Sequence, residues 1–240
     1  HIKFTATEEY KNRVIQLGEH QSRVFNVGGK GIENIKRLKL LSKDEFEKSI
    51  EFKLNSKNIL VTFHPVTLEN STAQEQFKEL LDAIDELEDT NIIFTKANSD
   101  TDGRVINQMI DEYVIKNSHK SIGFTSLGQL RYLSALQYVD AVVGNSSSGL
   151  AETPSFKIGT INIGDRQKGR IKASSVIDCE PNKDSILKSF EKLYSKEFQE
   201  TLKTTINPYG DGCASKKIVE ILKNVNLENI LKKSFYDLRG

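Results

Sequence analysis

The stretch Val142–Arg170, VVGNSSSGLAETPSFKIGTINIGDRQKGR, decides how the rest of this chain is read. Ala141–Val143 is apolar, as in a buried strand, and Gly144-Asn145-Ser146-Ser147-Ser148-Gly149 carries little side-chain bulk, so the backbone can turn tightly. A helix carrying Leu150 and Ala151 follows, with Glu152 in its first turn, then a strand over Thr160–Ile163 and a basic loop with Arg166 and Arg170. Free amides, hydroxyls and the positive end of the helix dipole converge on the turn, which makes it a seat for an anion such as a phosphate. An ordinary strand-to-helix turn with serine caps fits the same residues, and locally the two readings stand level.

Working outward, Asn58–Phe63 is a continuous apolar run of the kind buried in a parallel sheet, and it ends in His64-Pro65. Further strands fall at Asn91–Thr95, Ser121–Phe124 and Ser175–Cys179. Amphipathic helices alternate with them over about Thr72–Leu87, Asp102–Val114, Leu127–Val139 and Asp184–Leu193. The expected fold is α/β, a doubly wound, Rossmann-like sheet of about six parallel strands. Ligands of such sheets bind past the carboxyl ends of the strands. His64, Asn98, Ser126, Asn145–Ser147 and Arg166 all lie just past strand ends.

Before this core, His1–Thr5 and Arg23–Val27 read as short strands around a helix carrying Tyr10, Val14 and Leu17, and Thr5-Ala6-Thr7-Glu8 has capping-box spacing. Gly28-Gly29-Lys30-Gly31 lacks the G-x-G-x-x-G spacing and reads as a flexible crossing between domains. After the core, Asn207–Gly212 is a turn cluster that starts a helix through Val225, and Leu227–Leu238 is a final helical piece. The expected division is residues 1–38, 39–225 and 226–240. The chain begins at His1 and its one methionine is Met109, so it is expected to be part of a longer protein, with no signal peptide visible.

Composition narrows the function classes. A net charge of +1 points to neither nucleic acid nor an acidic membrane surface. No apolar run approaches the roughly 20 residues that span a bilayer. Two cysteines, Cys179 and Cys213, make no disulfide framework, which suits a reducing, cytoplasmic setting. His1, His20, His64 and His119 are scattered and no Cys/His spacing matches a ligand set, so no metal or cofactor is expected. Ser146–Ser148 has no G-x-S-x-G elbow, and phosphate binding is a better use of its hydroxyls than nucleophilic attack. Arg166 and Arg170 are either solvated surface or, at least one of them, a guanidinium fork on a diphosphate. His64 is either structural or held at the rim for chemistry, and Tyr132 is half core or a base contact.

GNSSSG with Glu152, INIGDRQKGR, NPYGDG, FTATEEYKNRVIQLGE and FHPVT occur in an order that resembles the hydrolysing UDP-N-acetylglucosamine 2-epimerases of sialic and legionaminic acid synthesis. The resemblance covers nearly the whole chain. It implies a two-domain GT-B-type fold of which this chain is the C-terminal portion, with residues 39–225 as the nucleotide-binding domain. It also implies that Ser146 and Ser147 hold the diphosphate, Glu152 the ribose hydroxyls and Arg166 the phosphate charge. Ser126–Tyr132 would face the uracil, Asn98 would lie near the nucleotide, and His64 would face the sugar–diphosphate side as a catalytic candidate. Arg170 and Asn145 complete the expected UDP-binding set. The family's reaction removes the C2 proton, expels UDP from C1 and adds water to the resulting glycal. Its principal carboxylates would lie in an N-terminal domain outside this chain, so the chain alone is expected to bind UDP without turnover. A homo-oligomer is implied. A GT-B glycosyltransferase and a non-catalytic UDP-sugar-binding module are the alternatives.

Overall fold

The structure is a computed structural model describing residues 1–65, 72–97, 101–228 and 230–238. The chain divides into two compact units, residues 1–39 with 207–240 and residues 40–206.

In the first unit, β1 (Lys3–Thr5) and β2 (Val24–Asn26) pair in parallel around α1 (Glu8–Gln16), and α2 (Lys30–Arg37) follows. The cap of α1 is Thr7, whose hydroxyl accepts the Tyr10 N–H at 3.1 Å, and not a box built on Thr5. Gly28 and Gly29 are no loose crossing. The Gly29 N–H donates to the Tyr209 carbonyl at 2.6 Å, and a Cβ on Gly28 would stand 3.1 Å from that same oxygen.

The second unit begins with α3 (Lys43–Ile50), entered through a true capping box of Ser42 and Glu45. It continues with β3 (Lys57–Thr62), α4 (Ala73–Ile84), β4 (Thr90–Thr95), α5 (Thr101–Lys116) and β5 (Ser121–Phe124). Next come α6 (Gly128–Ala135), β6 (Ala141–Gly144), α7 (Ser148–Ala151), β7 (Gly159–Ile163), β8 (Val176–Cys179), α8 (Lys183–Leu193) and α9 (Lys196–Thr204). The sheet has six strands in the order β5-β4-β3-β6-β7-β8, with every pairing parallel. It is the expected doubly wound sheet. Helices cover both faces, which is why β3, β4, β6 and β7 read as unbroken apolar runs.

Strand order reverses between β3 and β6, so the topological switch point lies where these two strands end. One sheet face packs Val61, Phe63, Phe94, Val143 and Ile161 against Phe77 and Leu80 of α4 and Ile186 and Phe190 of α8. On the other face, the strand register aligns Thr95, Thr62, Gly144, Asn162 and Asp178 in a single row at the carboxyl end of the sheet. The strands are mostly apolar below that row and polar at it.

The chain returns to the first unit with α10 (Ala214–Asn224), where the Ser215 N–H donates to the Glu33 carboxylate at 3.3 Å. The segment 207–225 thus groups with the first unit and not with residues 40–206. The described residues of 227–238 form no helix. Their spacing is helical, but Leu227, Leu231, Phe235 and Leu238 are all exposed, and a short helix without a buried face has little to hold it. The tail runs instead along residues 18–23, with the Tyr236 N–H on the Gly18 carbonyl at 3.0 Å. Val105 of α5 and Leu130 of α6 are partly exposed. Cys179 and Cys213 are both free. No helix among the described residues is long and apolar enough to cross a membrane.

Candidate functional site

The serine turn begins at Gly144, whose φ of +131° and absent Cβ let β6 turn away beside β3. The helix it enters, α7, is only four residues long and passes directly into a 3-10 turn at Thr153–Phe156. Glu152 therefore ends a single turn instead of opening a long helix, and local N–H groups contribute more to this seat than a macrodipole does. The N–H groups of Gly149, Leu150 and Ala151 are taken by the carbonyls of Ser146 and Ser147. The Ser146 hydroxyl accepts the Ser148 N–H at 3.4 Å. The N–H groups of Ser146 and Ser147 donate to nothing among the described residues and remain for an incoming acceptor.

Asn145, 1% exposed, is committed to the protein. Its Oδ1 accepts the His64 N–H and its Nδ2 donates to the His64 carbonyl, both at 2.7 Å. The Asn145 carbonyl accepts Nη1 of Arg166 at 3.0 Å and Nε2 of Gln167 at 2.8 Å. The structure thus brings His64, Asn145, the serines and Arg166 together at the switch point. Burial, and then the charge of Arg170, hold the Arg166 guanidinium below its ordinary value. Neither arginine has a carboxylate partner among the described residues. Two neighbouring cations without an acid beside them are arranged for an anion.

The Tyr132 hydroxyl is paired with that of Ser148 and is pushed up by burial. Burial also raises the Glu152 carboxyl, with the Ser148 hydroxyl beside it acting in the opposite direction. Oε2 of Glu152 is buried with no partner among the described residues, an acceptor facing no donor of the protein. The Ser126 hydroxyl accepts the Gly128 N–H at 3.1 Å at the exposed start of α6. Asn98 lies outside the described residues.

Gln167 is a residue of this rim that the sequence reading did not single out, and nothing in a basic loop signals that Gln167 alone points inward. Ser148, read with Ser146 and Ser147 as a phosphate hydroxyl, is paired with Tyr132 instead. No metal-ligating cluster occurs among the described residues. Two larger hollows, of about 730 Å³ in the first unit around Lys11 and Lys217 and about 600 Å³ around Asp165 and Asp178, contain no residue of the serine turn.

Against known proteins, the model of the UDP-N-acetylglucosamine 2-epimerase family matches residues 1–223. The chain belongs to the UDP-N-acetylglucosamine 2-epimerase family. Relatives in this family include the GDP/UDP-N,N'-diacetylbacillosamine 2-epimerase (hydrolyzing) of Campylobacter jejuni, 46% identical, with 99% of this chain and 62% of the relative covered. The polysialic acid biosynthesis protein P7 of Escherichia coli is 39% identical, with 99% of this chain and 60% of that protein covered. Among solved structures, S. aureus MnaA with UDP superposes with a TM-score of 0.74 at 19% identity, covering 98% of this chain and 62% of that one. The chain spans 60–62% of the length of these relatives.

Proposed function

We propose that this chain is the nucleotide-binding portion of a hydrolysing 2-epimerase that converts a UDP-2-acetamido sugar and water to UDP and the free, C2-inverted sugar. The observation that carries the reading is the set of groups on one rim. Ser146 and Ser147 offer free N–H groups, Arg166 and Arg170 offer charge, and Glu152 offers an unpartnered buried oxygen. The first four suit a diphosphate, and the last suits the two hydroxyls of a ribose, which are donors. In elimination the C1–O bond breaks and the electron pair leaves with UDP, so charge grows at the atoms this seat holds. His64 stands next to it on the sugar side. Asn145, read from the sequence as a UDP contact, is better placed as the residue that carries His64. The carboxylates that move the C2 proton are assigned to the part of the intact protein beyond this chain, and the reaction to the cytoplasm.

Two measurements test the reading. UDP at about 100 times its Kd should stabilise the 240-residue chain by about 2.7 kcal/mol, on the order of 5–10 °C in Tm, while GDP gives a smaller shift. The chain alone should turn over no substrate. The full-length gene product should release UDP in heavy water with deuterium at C2, and diacetylbacillosamine, for which the C. jejuni relative is named, is the first sugar to assay. Absence of any UDP shift would end the proposal.

Glu152→Gln should separate ligand binding from stability. The folded carboxyl is raised above its ordinary 4.5, so its stability contribution is full below that pH and is lost as pH rises through the folded value. The variant, which carries no buried charge, should therefore be more stable than wild type at pH 7, with the gap closing towards pH 4. UDP should bind it about tenfold more weakly, because a charged acceptor becomes a neutral one. Calorimetric titration and urea melts at both pH values check the two halves.

A further inference from the structure

We infer that Gln167 is a positioning residue that fixes His64 by locking Asn145, an inference that rests on the UDP-sugar reading of this rim. Pairing between β3 and β6 stops at Thr62 and Gly144, where the chain turns off into the serines. The N–H and carbonyl of His64 lie beyond that last pair and would have no strand to meet. The Asn145 side chain supplies both partners, at 2.7 Å each. A primary amide carries the same donor and acceptor as a peptide group, so this one side chain extends the β3 ladder by a step. Pro65 follows and restricts His64 to extended backbone conformations, which suits a residue held as if in a strand.

The clamp works only if Asn145 is itself held. Its N–H donates to the Thr62 carbonyl at 3.2 Å, and its carbonyl receives Arg166 and Gln167. Arg166 is exposed and serves the anion seat. Gln167 is 2% exposed, and its bond to Asn145 is made inside the protein. Its Oε1 is buried with no partner among the described residues. A leucine there would bury apolar surface without leaving an acceptor unmet, so the amide is held against a desolvation cost that only the bond to Asn145 offsets.

Gln167→Leu and Gln167→Glu in the full-length gene product test this, read by kcat, KM, Tm and the NMR signals of labelled histidines. Gln167→Leu should shift the His64 signals and leave those of His20 and His119 in place. It should lower kcat about tenfold or more with KM changed less than about threefold, since displacing a reacting group costs turnover before binding. In Gln167→Glu an ionised carboxylate would repel the Asn145 carbonyl and draw away Arg166, the charged group sharing that oxygen, whereas the protonated acid would donate as the amide does. Its kcat deficit and His64 shift should therefore shrink as pH falls towards about 5, with Gln167→Leu flat over the same range. His64 signals unmoved in both variants at neutral pH, or kcat within about twofold of wild type, would overturn the assignment. Should Gln167→Leu not fold, the pH response of Gln167→Glu decides alone. Failure of wild type to bind UDP would sink the nucleotide reading, while the His64 signals would still decide this one.

Discussion

Gly144→Ala is expected to destabilise the protein by roughly 2–5 kcal/mol. Two independent costs add. The φ of +131° lies in a region that a residue with a Cβ rarely adopts, costing about 1–3 kcal/mol. The new methyl would also stand 2.0 Å from the Thr62 carbonyl oxygen, which is backbone and cannot rotate away. That oxygen belongs to the central strand β3 and accepts the Asn145 N–H, so relief requires β3 and β6 to part at the switch point. Urea unfolding followed by circular dichroism measures it, and a loss under about 1 kcal/mol would mean that the turn has room the structure denies it. UDP affinity should fall in the same variant even where it is folded, because the serine turn starts from the displaced residue.

Arg166→Ala should weaken UDP binding by about 10–100-fold, equivalent to roughly 1.5–3 kcal/mol for hydrogen bonds to a charged group. The guanidinium donates to the Asn145 carbonyl, and in the proposed seat it would also oppose phosphate charge. Arg166→Lys should recover only part of the loss, since an ammonium lacks the planar fork that spans two acceptors. Arg170→Ala should have the smaller effect, because Arg170 makes no such bond to the turn. The wild-type affinity should fall with salt and the Arg166→Ala affinity should fall less, since one screened interaction is gone. Titration calorimetry at low and high ionic strength separates these. Equal affinities for UDP in wild type and Arg166→Ala would leave the arginine as solvated surface.

The fold was largely legible in the sequence because β3, β4, β6 and β7 are covered on both faces and are mostly apolar. A run such as Asn58–Phe63 announces itself. The helices were less so at their ends: α6 stops at Ala135 although its stripe continues to Val139, and α9 was passed over although Ser195 caps it, accepting the Phe198 N–H at 3.3 Å. The tail misled because its spacing is helical while its apolar side chains have no surface to cover. For the site, small residues and glycines marked a turn at a strand end, and the structure has the serine turn where β6 stops. What they could not give was the direction of each polar side chain. Asn145, Tyr132 and Gln167 look alike as polar letters near a loop, yet each has its functional group turned to the protein, to His64, Ser148 and Asn145 respectively. Such bonds span up to 81 residues of chain and depend on strand order, which no local pattern encodes.

The row of Thr95, Thr62, Gly144, Asn162 and Asp178 marks a boundary between two kinds of sequence freedom. Below it, the strands answer to packing alone, and exchanges among apolar residues of similar volume should be silent for recognition. Above it, on the proposed function, the loops would answer to the bound molecule, so recognition could be changed at the rim with the strands left as they are. Gly144 sits on the line and belongs to both sides, and any attempt to transplant this serine turn onto another sheet has to carry that one residue along with the loop it launches.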